Sequence, residues 1–162
     1  MSRTTVRALT LAAVMMVALG TESQMMTSPY GLPIGVEAAK KAAAAALAEA
    51  VKNKWNMAVA IVDPNGTLIY YEKLDNTQIG SAEVSIAKAR SAAQFKRPTK
   101  AFQDALAAGG AGLRILGLPG AVPVEGGIPL ISDGKIIGAI GLSGGTSEQD
   151  GQCAQVGAAT MK

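Results

Sequence analysis

Three kinds of apolar pattern follow one another along this chain. Residues 8 to 19 are unbroken apolar positions except for Thr10, with Arg3 and Arg7 before them and Gly20 after. The run is about 12 residues, short of the ~20 that span a bilayer. A charged start, an apolar middle and small residues at Ala18 and Gly20 predict a secretory signal peptide over 1–20, with an uncleaved membrane anchor as the alternative. Residues 21–35 hold Pro29 and Pro33 and read as a linker or N-terminal arm. Val36 to Lys54 is Ala-rich with interspersed Lys and Glu and no Gly or Pro, which predicts a helix. Asn56–Val62 is nearly continuous in apolar residues and predicts a buried strand. Asp63-Pro64-Asn65-Gly66 is a turn sequence, and Thr67–Lys73 completes a hairpin.

Ser81 is the expected cap of a helix over Ala82–Gln94, and Thr99 the expected cap of a shorter one ending near Ala107. Glycines 109, 110 and 112 break the pattern. Strands are expected at Ala121–Val124, Ile128–Ser132 and Lys135–Leu142, the last two joined by Asp133-Gly134, a type I′ hairpin signal. Thr146-Ser147-Glu148-Gln149 is a capping-box sequence and opens a last helix to about Ala159. Linked hairpins with helices between them predict one α/β (α+β) domain over 36–162. Its sheet would be mainly antiparallel, with helices covering it.

Charge changes the picture little. The chain carries 15 basic and 12 acidic residues, formally +3. The signal takes two arginines and no acid with it, leaving +1, so no general nucleic-acid footprint is expected. The mature protein would be periplasmic or secreted, with no stable membrane insertion once the signal is removed. Its single cysteine, Cys153, gives no internal disulfide and reads as a small buried side chain. The absence of histidine decides more. It excludes Ser-His-Asp and Cys-His mechanisms, His-ligated zinc and a proximal-His haem. Chemistry is left to carboxylates, Lys, Tyr, Ser/Thr, Met, Cys153 and backbone groups.

Lys88, Arg90, Lys96, Arg97 and Lys100 form a basic run without an acid. It is either an anchor for an anionic ligand, with Arg97 suited to bidentate contact, or a solvated helix face. Gly141-Leu142-Ser143-Gly144-Gly145 matches a nucleophile elbow, but no histidine is available to take the serine proton. Its alternative is a turn whose Gly144 and Gly145 amides hold a carboxylate at a helix start, or serve packing alone. Gly126 and Gly127 precede a strand and permit close approach of a ligand or another segment. Glu125 beside them could pair with the basic run or contact a metal. If the protein is an enzyme acting on a small carboxylate or carbonyl compound, Lys88 as a desolvated base and Asp150 as an acid–base group are the catalytic candidates.

Three stretches taken together carry a resemblance: AVAIVDPNGTLIYYEKLDN (58–76), SIAKARSAAQFKRPT (85–99) and GGIPLISDGKIIGAIGLSGGTSEQDGQCAQVG (126–157). They are similar to the GlcG/HbpS haem-binding (haem-degrading) family, which includes the C-terminal domain of PduO-type proteins. The likeness covers about residues 36–160. It implies a profilin-like or Roadblock-like fold, with a five-stranded antiparallel sheet flanked by helices, and homo-oligomers. It implies a small-molecule ligand, haem or another anionic compound. The family's basic stretch falls on Lys88, Ala89, Ser91, Ala92, Phe95, Arg97, Pro98 and Thr99. Its Gly-rich stretch falls on Gly126, Gly127, Pro129, Ser143, Gly144, Gly145, Gln149 and Asp150. The expected ligand-binding set is Lys88, Arg97, Thr99, Gly126, Gly127, Ser143, Gly144 and Gly145. Any axial haem ligand would be Thr, Tyr, Lys or Met. Family members often carry acidic residues where this chain has Gly151 and Gln152, so no metal-ligand set is assigned.

Overall fold

The computed structural model describes residues 27–161. The signal-peptide reading falls outside them. Among them no helix is long and apolar enough to cross a membrane.

Helix α1 (Val36–Lys52) buries Ala39, Ala42, Ala43, Ala46, Leu47 and Ala50, one stripe at three- and four-residue spacing. Strand β1 (Ala58–Val62) is buried at every position, as its continuous apolar sequence predicts. It turns through Asp63, whose Oδ1 accepts from the Asn65 and Thr67 amides at 2.8 and 2.9 Å. Gly66 takes φ +86°, and β2 (Leu68–Lys73) returns antiparallel. Helix α2 (Ser81–Phe95) and helix α3 (Lys100–Ala107) are separated by Lys96, which is left-handed at φ 54°. A 3-10 segment (Gly110–Gly117) follows. Then β3 (Gly127–Ser132) and β4 (Lys135–Ser143) pair through Asp133 (φ 49°) and Gly134 (φ 72°). These are the two positive dihedrals of a type I′ turn. Helix α4 (Ser147–Ala158) begins with the predicted capping box: the Gln149 amide donates to Thr146 Oγ1, and the Thr146 amide donates to Gln149 Oε1.

The sheet order is β2-β1-β4-β3, antiparallel throughout. The fold is therefore α+β with an antiparallel sheet, but of four strands where five were expected. Ala121–Val124 forms no strand. Its Val122 amide donates to Ser91 Oγ of α2 at 3.0 Å, so this segment is bound to a helix instead of a sheet edge. Pro129 fits the edge position of β3, where a missing N–H disturbs no ladder. The arm adds to the sheet at the other side of β4, past the end of β1. Tyr30 makes an isolated parallel bridge to Ile136, and Ile34 N–H donates to Ile137 O at 2.8 Å.

The two sheet faces bury different cores. Val59, Ile61, Ile128, Leu130, Ile140 and Leu142 cluster with α1 and α4. Ala60, Val62 and Ala139 meet Ala89, Ala92 and Ala93 of α2. Tyr70 and Tyr71 divide between these clusters, as adjacent strand residues must.

Candidate functional site

Helix α2 comes down onto bare backbone. A Cβ on Gly141 would lie 2.1 Å from Ser85 O, and one on Gly127 would lie 2.3 Å from Lys88 O. Only glycine permits that approach. It lets Lys88, in the middle of α2, reach past the end of β4 to α4. Lys88 Nζ sits 2.6 Å from Asp150 Oδ2 and donates to Leu142 O at 3.1 Å. Both side chains are almost wholly buried, at 1% and 4% exposure. The other carboxylate oxygen, Asp150 Oδ1, accepts from Gly145 N–H at 3.0 Å. Burial pushes the Asp150 carboxyl up, opposed by Lys88 and by the Gly144 and Gly145 amides.

Gly126 (φ +127°) closes over this pair, with its ideal Cβ position 2.9 Å from Lys88 Nζ and 2.8 Å from Asp150 Cβ. Glu125 lies next to it against Gly151, where an added Cβ would meet Glu125 Oε1. Gly151, having no side chain, makes room here for a carboxylate from another segment. Glu125 is raised chiefly by desolvation, with Lys100 and Lys88 pulling the other way.

Six of the predicted residues thus converge: Lys88, Asp150, Gly126, Gly127, Gly145 and Thr99. Thr99 Oγ1 accepts from Gly127 N–H at 2.9 Å, and Gly127 O accepts from Thr99 N–H at 2.9 Å. Thr99 stands at the start of α3, yet its hydroxyl makes no cap bond. The expected Ser81 cap is also corrected. Gly80 takes the cap position, and the buried Ser81 hydroxyl accepts from Ser143 Oγ at 3.2 Å. Ser143 is spent on that contact. Gly144 (φ +150°) abuts Asn56 O. No buried side-chain polar atom among the described residues lacks a partner. Since Lys88 and Asp150 neutralise each other, a ligand carboxylate reaching Lys88 would have to displace Asp150.

Arg97 goes elsewhere. Its Nε donates to Phe95 O at 3.2 Å, and its guanidinium lies 5.3 Å from the Phe102 ring centre. It stands at a cavity of about 580 Å³ between α3 and the 3-10 segment, where Lys88 does not reach. Phe102, Ala105, Ile115 and Leu118 line this cavity, and Arg114 is a second cation in its wall. Sequence reading missed Arg114 and this lining. The signal was present in the helical spacing of Ala101, Phe102, Ala105 and Ala108, and in the apolar run after Gly112. Among the described residues no group of His, Cys, Asp and Glu could hold a metal ion. Burial pushes the Cys153 thiol up to about 11.

Comparison with known proteins agrees with this architecture. Over 100 residues the chain is 36% identical to protein GlcG of Escherichia coli (strain K12), covering 62% of this chain and 73% of that protein. A crystal structure of a Streptomyces reticuli HbpS double mutant superposes with a TM-score of 0.74 at 30% identity, covering 82% of this chain and 89% of that one. A PduOC:heme complex superposes with a TM-score of 0.72 at 28% identity, covering 81% and 96%. Residues 34–159 match the family described as haem degrading protein HbpS-like, and the chain belongs to that family.

Proposed function

We propose that this protein is exported to the periplasm or beyond, assembles with copies of itself, and binds an apolar anionic small molecule, with haem as the leading ligand. The observation that carries the reading is the cavity between α3 and the 3-10 segment. Its ~580 Å³ lies within the range of small-molecule sites, which are mostly apolar with a few placed polar groups. Arg97 and Arg114 supply two guanidinium groups, each able to take a carboxylate in bidentate fashion. Haem is a flat apolar ring with two carboxylates, so ring and charges both find counterparts. The family's description and the haem in the PduOC structure point to the same ligand class.

Self-assembly is supported by the same segment. Leu113 and Leu116 are 53% and 71% exposed, and such apolar surface is commonly covered by a partner. Within this reading the fold is of the profilin-like or Roadblock-like kind. An enzyme built on Lys88 and Asp150 is the weaker alternative, because each side chain is closed on the other.

Titration with hemin, followed by Soret absorbance, tests the proposal. Saturable binding at micromolar protein is expected, weakened about tenfold in Arg97→Ala, the loss of one charged hydrogen-bonded contact. No spectral change would overturn it. Leu116→Glu is expected to lower the assembly size by light scattering.

A further inference from the structure

The cavity that suits a porphyrin offers nothing to its metal. Apart from Arg97 and Arg114, every lining residue is Ala, Gly, Phe, Ile or Leu. None of these has a side-chain lone pair, and the guanidinium groups stay protonated. Among the described residues, several of the usual iron donors are committed elsewhere. The chain has no histidine. Met57 and Cys153 are fully buried in the core under α1 and α4. Lys88 is tied to Asp150. Tyr30 Oη donates to Ala93 O at 3.0 Å, and Tyr70 Oη donates to Glu72 at 2.7 Å.

We infer that the site recognises the tetrapyrrole ring and its carboxylates and that none of the residues lining it ligates the central metal. This rests on the proposed function and adds a selectivity to it: metal-free porphyrin binds as well as haem. Two cations facing two carboxylates, with apolar walls for the ring, supply the whole recognition. The metal contributes nothing to it. Were haem held there, no lining side chain would compete with an added small ligand for its metal.

The test titrates the full chain with hemin and, separately, with metal-free protoporphyrin IX, the second read by its own fluorescence. Dissociation constants within about threefold of each other are expected. Arg97→Ala should weaken both about tenfold, and Ala105→Trp, which fills the cavity, should abolish both. Far-UV circular dichroism checks that Ala105→Trp folds, and Arg97→Ala carries the test if it does not. Imidazole added to the hemin complex should shift the Soret band without releasing the ring. Hemin binding more than tenfold tighter than the metal-free ring would overturn this inference while leaving the proposed function standing. Binding of neither compound would overturn both. So would binding of both, unchanged, by a folded Ala105→Trp protein.

Discussion

The two faces of one four-stranded sheet are held by different physics. Against α1 and α4, branched side chains from three strands interlock with an alanine stripe. That is ordinary apolar burial, worth roughly 25 cal/mol per Å² removed from water. Against α2 the sheet presents Ala60, Val62, Ala139, Gly127 and Gly141, and the helix rests nearly on the main chain. There is little side-chain area to bury. In its place stand backbone proximity, serine hydroxyls and the Lys88–Asp150 pair. A face of large side chains tolerates small losses, because its energy is spread over many contacts. A face of backbone contacts tolerates almost no addition, because there is no room to yield. Lys88, Gly127 and Gly141, which carry part of the family resemblance, lie on the second face, where close approach of backbone demands small residues.

The contrast can be broken by substitution, with stability read from urea midpoints. Lys88→Met is expected to cost the most, about 4 kcal/mol, because it leaves the Asp150 carboxylate buried without its cation. Adding Asp150→Asn to that variant should restore at least half. If the double variant is no better than the single, the pair is not the tie between α2 and α4. Next comes Gly141→Ala, expected to cost about 3 kcal/mol, since one methyl meets Ser85 O across fixed backbone. Its mirror on the other face, Ile140→Val, removes one methyl and should cost about 1 kcal/mol. Equal costs for the two would erase the distinction between the faces. Thr146→Ala should also cost about 1 kcal/mol by opening the capping box. The smallest effect belongs to Cys153: with its thiol held at about 11 by burial, it should resist alkylation at pH 8 until the protein unfolds.

Local signals transferred well from sequence to structure where a few neighbouring residues decide the outcome. Asp133-Gly134 makes its turn, Asp63 ties its own loop, and Thr146 with Gln149 caps α4. They failed where a distant group competes for the same atom. Ser81 and Thr99 have the right chemistry for caps, but Ser143 and the Gly127 amide engage their hydroxyls. Ala121–Val124 has strand-like composition, but Ser91 of α2 holds it. The candidate site shows the same limit. Lys88 and Asp150 were each recognisable as unusual, yet no local pattern joins residues so far apart in sequence. Lys88 and Arg97 look like one basic patch along the chain, but the left-handed Lys96 that ends α2 sends Arg97 to another cavity.

Strand β4 lies at the centre of the sheet, and that sets an order in time. β1 needs Ser143 opposite Ala58, a partner roughly 85 residues downstream, which makes this a topology of high contact order. The arm waits longer still, since Tyr30 bridges to Ile136. Neither can settle until nearly the whole chain has been made. A chain whose central pairing arrives last stays open while it is synthesised, and an open chain is the form in which the proposed export would have to carry it.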